Sequence, residues 1–298
     1  MEINLKDLKE LRERTGAGVL DCKKALAECN SNLEEAVKWL REKGIAKAVK
    51  KAGRTSAEGL FEVLVDGNTA TLFEINCETD FVAMNAKFKA FQAEVAKVIS
   101  ANHPNNTEEA LNTVLPDGAK LSDKVLEFSG VIGEKIELRN VQVVTKEDSQ
   151  VFGVYKHNGG KIAVVTVMDA CDAQVAKAVA MHVCANDPQY IDETYVDEAF
   201  LNNERETLLK EALAENAALP KPKPEVIVEK MVQGRLNKEL KEICLVNQAL
   251  VTDPNTTVGA YLDSNHTKVH SYLRVVVGAG IEKKENDFVN EVMNAVKN

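Results

Sequence analysis

The chain has 298 residues, which is longer than one small hydrophobic core usually needs and indicates two or three modules. Its net charge of −9 at pH 7 and its pI near 5.3 argue against nucleic acid as the main partner, because a phosphate backbone would repel it. No apolar run approaches the roughly 20 residues that span a bilayer, so no membrane contact is expected. The N-terminal sequence "MEINLKDLKELRERTG" lacks the apolar core of a signal peptide and is too acidic for a transit peptide, which predicts a cytoplasmic protein.

The six cysteines show neither a CxxC pair nor the spacing of a zinc site, and most lie within apolar patterns. A chain predicted to be cytoplasmic keeps such thiols reduced. We therefore expect unpaired, buried thiols that pack as small hydrophobic side chains. The six residues are Cys22, Cys29, Cys77, Cys171, Cys184 and Cys244.

The first predicted module covers residues 1 to about 43 and has the pattern of three short helices. The sequence "TGAG" at 15–18 predicts the first turn. The sequence "SNLE" at 31–34 predicts a capping box, in which Ser31 caps a backbone N–H group and Glu34 reaches back. Because so small a unit has a thin core, we expect it to dock on another surface.

The segment at 41–59 combines positive charge with glycine. It holds six Lys and Arg residues against two Glu residues, and Gly44, Gly53 and Gly59 are candidate helix breakers. This pattern predicts a basic linker that is partly helical.

From Leu60 the apolar period changes to two, which indicates strands. The runs "LFEVLV" and "TATLFEINC" flank the turn "DGN" and predict a β-hairpin. A helix follows, with Phe88 at the start of its apolar face. Two shorter helices, at 107–115 and 122–130, and a strand at 135–144 come next.

The same plan then recurs, which indicates an internal duplication. A second hairpin at 150–169 turns at "HNGG", and the helix after it ends in "ANDP", a near copy of the "ANHP" that ends the first helix. The first copy carries about eight extra residues between its second strand and its helix, and they fall on "ETDFVAMN" at 78–85. An element that the shared scaffold can omit is more often a contact surface than a support.

Residues 193–218 and 225–243 favour two helices, separated by "LPKPKP" because three prolines cannot continue a helix. They predict an antiparallel helical hairpin inserted into the second copy, and a strand at 271–280 and an amphipathic helix at 286–298 follow it. The predicted fold class is therefore α+β. The predicted domains are an N-terminal helical domain with its basic linker at 1–54, a first core subdomain at 55–140, a second core subdomain at 141–180 and 244–280, the inserted hairpin at 181–243 and a C-terminal helical module at 281–298.

No motif in the sequence indicates catalysis or a bound cofactor. The chain lacks GxxxxGK[ST], and its GxG pairs in "TGAG" and "VGAG" lack the third glycine of a dinucleotide site. His266 and His270 have the spacing of HxxxH, but no acidic partner follows, so no metal site is predicted. Neither a Cys–His pair nor GxSxG supplies a nucleophile, and His182 lies in a helical pattern as an expected packed residue. The sequence therefore favours a binding protein over an enzyme.

Two interpretations of Phe81 are open at this point. Asp80 could cap a helix whose apolar stripe starts at Phe81 and continues through Met84 to Phe88. The location of Phe81 in the extra segment instead favours a side chain that protrudes for contact. The two are compatible, because a capped helix start is a rigid mount.

Two long segments resemble a known family. The sequences "LRERTGAGVLDCKKAL" at 11–26 and "EINCETDFVAM" at 74–84 resemble the signature segments of the elongation factor Ts family, whose members are guanine-nucleotide exchange factors for elongation factor Tu. The order of modules is also similar to that family over nearly the whole chain. Met84 departs from the pattern, because the family usually has a basic residue or Asn there.

The resemblance implies a protein without catalytic residues, metal or cofactor. It implies that one four-residue segment enters the G domain of elongation factor Tu and disturbs helices next to its Mg²⁺ site. It also implies contacts from the N-terminal domain and from the tip of the second hairpin, and a homodimer through 181–243. The residues at the matching positions are Thr79, Asp80, Phe81 and Val82 in the segment, Arg12, Val19 and Leu20 in the N-terminal domain, and His157 and Gly159 at the tip.

Two other classes of protein stay open. A three-helix domain of this size also resembles ubiquitin-associated domains, and a helical hairpin can build dimers. Both features would suit a structural adaptor that leaves nucleotide turnover unchanged. A thiol-dependent enzyme would instead require a reactive cysteine with a lowered pKa.

Overall fold

The computed structural model describes residues 4–282. Over this range the chain has eleven α-helices and three small sheets, which confirms the predicted α+β class. It divides into two compact units. The first contains the described residues up to Val144, residues 158–161 and the described residues from Val276, and the second contains Thr145–His157 and Ile162–Val275. The helix predicted at 286–298 lies outside the described residues.

Three helices form the N-terminal part of the first unit: α1 at Leu5–Thr15, α2 at Val19–Glu28 and α3 at Leu33–Val49. Their shared core centres on Leu11, Cys22 and Leu26, which are fully buried. Helix α1 ends at Gly16, whose N–H donates to the carbonyl of Arg12 at 2.9 Å.

The start of α3 differs from the prediction. Asn32 caps this helix, because its Oδ1 accepts the N–H groups of Glu34 and Glu35 at 3.1 and 3.3 Å. Ser31 instead lies in the left-handed region, with a φ of 61°, in the turn after α2. The capping box at Ser31 is therefore wrong by one residue. Both residue types cap well, and the sequence does not show which of them takes the extended conformation that a cap needs.

Helix α3 continues through Gly44 to Val49, so residues 41–49 are the helical part of the segment that was predicted to be a partly helical linker. The reason is a close crossing with helix α7, at Leu121–Ile132. A Cβ atom on Gly130 of α7 would lie 2.5 Å from both the Cα and the carbonyl oxygen of Gly44. The close approach therefore requires glycine at position 130, and the prediction that Gly44 breaks the helix is wrong.

The first unit contains the first predicted hairpin. Its strands are β1 at Glu58–Asp66 and β2 at Thr69–Cys77, which pair antiparallel, with β3 at Glu137–Thr145 beside β2. Helices α4 at Asp80–Met84, α5 at Ala86–Asn102 and α6 at Thr107–Asn112 follow β2, and α7 precedes β3. Phe73 and Ile75 of β2 and Phe88 of α5 are fully buried in one core. Strand β3 crosses the predicted boundary at residue 140.

The second unit repeats this arrangement of hairpin, helix and third strand. Its elements are β4 at Gln150–His157, β5 at Ile162–Asp169, α8 at Ala173–Asn186 and, beside β5, β8 at Val269–Val276. The two helices even end alike. Asn85 caps the start of α5 and Asp172 that of α8, and both helices stop at a left-handed residue, His103 with φ 46° and Asp187 with φ 47°. These shared end signals support the duplication.

Two long helices occupy the region of the predicted hairpin. They are α9 at Glu198–Ala217 and α10 at Glu225–Ile243, and the later elements are β6 at Ala249–Leu250, β7 at Asp253–Thr257 and α11 at Val258–Ser264. Helices α9 and α10 share an apolar cluster that includes Leu208 and Leu236, and Arg235 forms an ion pair with Glu215 at 2.5 Å. Helix α8 continues to Asn186 and therefore crosses the predicted domain boundary at residue 181.

The six cysteines are free thiols, of which five are buried and Cys171 is half-buried. Burial raises the pKa of the five buried thiols. For Cys77 the pKa rises to about 12. The prediction of packed, unpaired thiols is confirmed for these five.

His182 of α8 is fully buried between two hydrogen-bond partners. Its Nδ1 accepts the N–H of Val251 at 3.1 Å, and its Nε2 lies 2.8 Å from Oε1 of Gln248. Because Nδ1 accepts, the neutral ring carries its proton on Nε2 and donates it to Gln248. Burial lowers the pKa of His182. The predicted packed histidine is confirmed.

This buried histidine predicts a loss of stability in mild acid. The unfolded chain binds a proton at His182 near pH 6.5, at about the ordinary pKa, whereas the folded chain binds it only at lower pH. The free energy of unfolding should therefore fall as the pH drops below about 6.5, until the folded pKa is passed. His182→Gln should lose less stability than the wild type on acidification in chemical denaturation experiments. Equal pH slopes for the two proteins would assign the acid sensitivity to other groups.

Between residues 4 and 282, no helix combines the length and the apolar character that crossing a membrane requires.

Candidate functional site

Helix α4 is a single turn that stands at the end of β2. Thr79 caps it in an extended conformation, and its Oγ1 accepts the N–H of Val82 at 3.4 Å. Asp80 is the first helical residue, so the prediction that Asp80 is the cap is wrong. Its carboxylate lies in the first turn instead, where it faces the positive end of the helix dipole.

The side chains of α4 divide into an inner and an outer pair. Ala83 is fully buried, and Val82 packs against the core of the first unit. Phe81 is 83% exposed and Met84 is 69% exposed. A pair of large, exposed apolar side chains on one turn is a candidate surface for contact with another molecule.

The interpretation of Phe81 and Met84 as core residues is therefore wrong, although Phe88 is buried as predicted. The physical reason is Asn85, which has a ψ of 138° and ends α4 before it begins α5. The helical spacing that would align Phe81 with Phe88 requires one continuous helix, and the chain changes direction between them.

Helix α4 is also the extra element of the first copy. Between β2 and α5 the chain runs through residues 78–85, whereas between β5 and α8 it needs only residues 170–172. The second copy thus passes from its hairpin to its helix without a turn like α4.

A carboxylate holds the backbone just before α4. Oε2 of Glu134 accepts the N–H groups of Glu78 and Thr79, each at 3.0 Å, and its Oε1 accepts the hydroxyl of Thr79 at 2.7 Å. Oε1 of Glu78 in turn accepts the N–H of Lys135 at 2.6 Å. The segment that leads into α4 and the segment that leads into β3 are therefore joined in both directions.

The predicted N-terminal site residues flank the turn between α1 and α2: Arg12 lies in the last turn of α1, and Val19 and Leu20 begin α2. Arg12 is exposed, Val19 is 41% exposed and Leu20 is 75% exposed. Nζ of Lys87, in the first turn of α5, donates to the carbonyl of Gly16 at 3.0 Å. This contact brings the turn after α1 next to the helix that follows α4.

His157 and Gly159 lie at the turn between β4 and β5, and both are exposed. Gly159 has a φ of 70°, and a Cβ atom there would meet open space. The next residue, Gly160, is buried, and its carbonyl accepts the N–H of Phe61 at 2.8 Å. His157, whose Nδ1 lies 3.4 Å from the hydroxyl of Tyr155, and Gly159 are therefore exposed beside a turn residue, Gly160, whose backbone is hydrogen-bonded.

Sequence reasoning missed Glu78, Glu134 and Lys87. Glu134 lies 55 positions from Thr79, and no local pattern marks so distant a partner. The only available signal was general: backbone N–H groups at a helix start attract a carboxylate. That rule does not say which carboxylate comes near.

Among the described residues, no group of three or more His, Cys, Asp and Glu side chains could hold a metal ion. Nε2 of His270 lies 2.6 Å from Oδ1 of Asp169, which gives this histidine a structural partner. The raised pKa values of the five buried thiols disfavour a thiolate nucleophile at these positions. An exposed aromatic ring on a braced turn is suited to contact with another protein.

A protein-family model described as elongation factor TS matches residues 78–279, more than half of the chain. The chain belongs to the elongation factor Ts family. Membership in the elongation factor Ts family implies a nucleotide exchange factor for elongation factor Tu in translation elongation. The match includes α4 and the β4–β5 turn, whereas Arg12, Val19 and Leu20 precede it. The roles of all the predicted site residues stay predictions.

Proposed function

We propose that this protein binds elongation factor Tu and accelerates GDP release by inserting α4 into the G domain, where it disturbs the Mg²⁺ and phosphate site. The observation that carries this function is the outward ring of Phe81 on a turn whose own backbone is fixed. Thr79 caps the turn, Asp80 offers a carboxylate beside the ring, and Val82 ties the turn to its core. Mg²⁺ demands near-ideal octahedral geometry, so a small shift of its ligands weakens nucleotide binding sharply.

The burial of Phe81 cannot supply all of the free energy that opening the nucleotide site requires. To shift the nucleotide site of elongation factor Tu from almost entirely closed to almost entirely open, the exchange factor must bind the open state about 5.5 kcal/mol more tightly than the closed state. Burying one phenylalanine side chain contributes roughly 1.5 to 3 kcal/mol. We therefore assign additional contacts to the exposed residues of the N-terminal helices and of the β4–β5 turn. These residues are Arg12, Val19, Leu20, His157 and Gly159.

The exchange is reversible binding without a covalent step. By linkage, a factor that lowers the affinity of its partner for GDP is itself released when nucleotide binds, and to the same degree. The protein then needs neither a cofactor nor a catalytic residue of its own. We also propose that it acts in the cytoplasm, where elongation takes place.

The hairpin helices are proposed to support a homodimer. Leu213 lies in the second half of α9, Leu219 follows the end of this helix, and Val226 and Ile227 lie in the first turn of α10; all four are exposed apolar residues. They flank the connection between α9 and α10 in the sequence. Association through 181–243 would cover them.

The proposed function is tested by stopped-flow release of fluorescent GDP from elongation factor Tu. The release rate is expected to rise with the concentration of this protein and to reach a plateau, because a complex forms before the nucleotide leaves. Added unlabelled GDP should dissociate the complex. Serum albumin at the same concentration is the control for unspecific effects.

Binding without faster release would contradict the proposal and favour the structural adaptor. Binding can be scored independently by size-exclusion chromatography of the two proteins in nucleotide-free buffer. If this protein coelutes with elongation factor Tu but leaves the rate of GDP release unchanged, the structural adaptor is the correct class.

A further inference from the structure

Two glutamates join the segment before α4 to the segment before β3. Glu134 accepts three hydrogen bonds from that segment: two from backbone N–H groups at 3.0 Å and one from the hydroxyl of Thr79 at 2.7 Å. Glu78 accepts the N–H of Lys135, at 2.6 Å, and receives the guanidinium of Arg54 at 3.3 Å. Each carboxylate thus binds the backbone beside the other one.

This arrangement matters because α4 is too short to be stable by itself. It has five residues, and isolated helices are marginal in water below about 12 residues. Its inner side chains are small or half-buried, since Ala83 contributes one methyl group and Val82 is only partly buried. The hydrogen bonds of Glu134 are charge-assisted, a class that is roughly twice as strong as neutral pairs.

The bonded groups also determine where the ring points. Thr79 is both the cap of α4 and the residue that Glu134 holds by its N–H and its hydroxyl. Phe81 follows two residues later. A shift of Thr79 would therefore rotate the first turn and change the direction of the exposed ring.

We infer, on the basis of the proposed function, that Glu134, assisted by Glu78, is a positioning residue that holds α4 ready for its partner. Without Glu134, only a fraction of the molecules presents Phe81 correctly. The apparent affinity of a binding-competent state falls in proportion to its population. If that fraction drops to about a tenth, the half-saturating concentration for GDP release rises about tenfold, while the plateau rate stays unchanged.

The test compares Glu134→Ala with Glu134→Gln and with Glu108→Ala. Glu108 is an exposed carboxylate in the first turn of α6, so its removal changes the net charge by the same amount. Glu134→Ala should raise the half-saturating concentration about tenfold at an unchanged plateau. Glu134→Gln keeps one carbonyl oxygen for the backbone N–H groups and should show a smaller rise. Glu108→Ala should behave as the wild type.

Amide hydrogen exchange supplies a readout that does not depend on activity. In Glu134→Ala, the amides of Glu78, Thr79 and Val82 should exchange faster, while amides in β2 and α5 keep their protection. Faster exchange at these amides with an unchanged half-saturating concentration would overturn the positioning role. A loss of amide protection throughout the Glu134→Ala protein would also overturn it, because Glu134 would then stabilise the whole fold. In that case Glu134→Gln, which keeps the fold, is used to measure the half-saturating concentration.

A double variant separates this inference from the proposed function. In the Phe81→Ala background, Glu134→Ala should change the half-saturating concentration much less, because the positioned ring is gone. Equal effects in both backgrounds would overturn the positioning role alone. An unchanged release rate for Phe81→Ala by itself would instead overturn the proposed function.

Discussion

Phe81→Ala is expected to reduce the ratio of the plateau rate to the half-saturating concentration for GDP release from elongation factor Tu by roughly ten- to a hundredfold. The ring is 83% exposed in the free protein, so its burial is gained only in the complex. Losing about 1.5 to 3 kcal/mol of burial in the state that opens the nucleotide site corresponds to this range of rates. The folded protein should be almost unaffected, within about 0.5 kcal/mol, because the side chain has few contacts inside its own unit.

The measurement pairs stopped-flow release with a thermal melt of the free protein. Tyr195→Ala is the matched control, since Tyr195 is a large aromatic residue that is also well exposed but lies before α9, in the second unit. It should leave both the melt and the release rate unchanged. A lower melting temperature with unchanged release for Phe81→Ala would show that the ring serves the fold.

Gly130→Ala is expected to destabilise the protein by about 1 to 3 kcal/mol, the usual range for overpacking. The new Cβ would lie 2.5 Å from the Cα and the carbonyl oxygen of Gly44, so the backbones of α3 and α7 would have to separate. The better helix propensity of alanine, worth up to about 1 kcal/mol, does not offset a clash with backbone atoms.

Gly44→Ala at the same crossing should have the opposite sign. A Cβ there would lie 3.8 Å from the carbonyl oxygen of Glu127 and 3.9 Å from the Cα of Gly130, which are ordinary contacts. The variant should gain stability from its helix propensity, by up to about 1 kcal/mol. Thermal and urea melts of both variants check the pair. Equal stability of the two variants would mean that α3 and α7 do not cross this closely in solution.

Patterns of short range were enough to predict most of the elements. The second helix of the hairpin region was predicted at 225–243, and α10 occupies Glu225–Ile243, because prolines fix its start. The strands of both hairpins followed from a period of two around glycine-containing turns. Such signals lie within the element itself or next to it.

The errors came from contacts that no local pattern reveals. Gly44 was predicted to break a helix, but it lies inside α3, and Gly130, which packs against it, is distant in sequence. Phe81 could not be placed, because the change of chain direction at Asn85 decides whether it joins the core. Glu134 was missed for the same reason, since its partners are 55 or 56 positions away.

The duplicated halves differ in how they pass from strand to helix. The second half needs only residues 170–172, where the first half uses residues 78–85. Natural selection therefore acts on residues 78–85 through two separate requirements, the packing of the first unit and contact with a partner. Val82 and Ala83 are constrained by the interior of their own unit, whereas Phe81 and Met84 are constrained by the surface that they meet. Over evolutionary time, substitutions at Phe81 and Met84 should accompany substitutions in the gene of a partner, and those at Val82 and Ala83 should accompany changes within this gene.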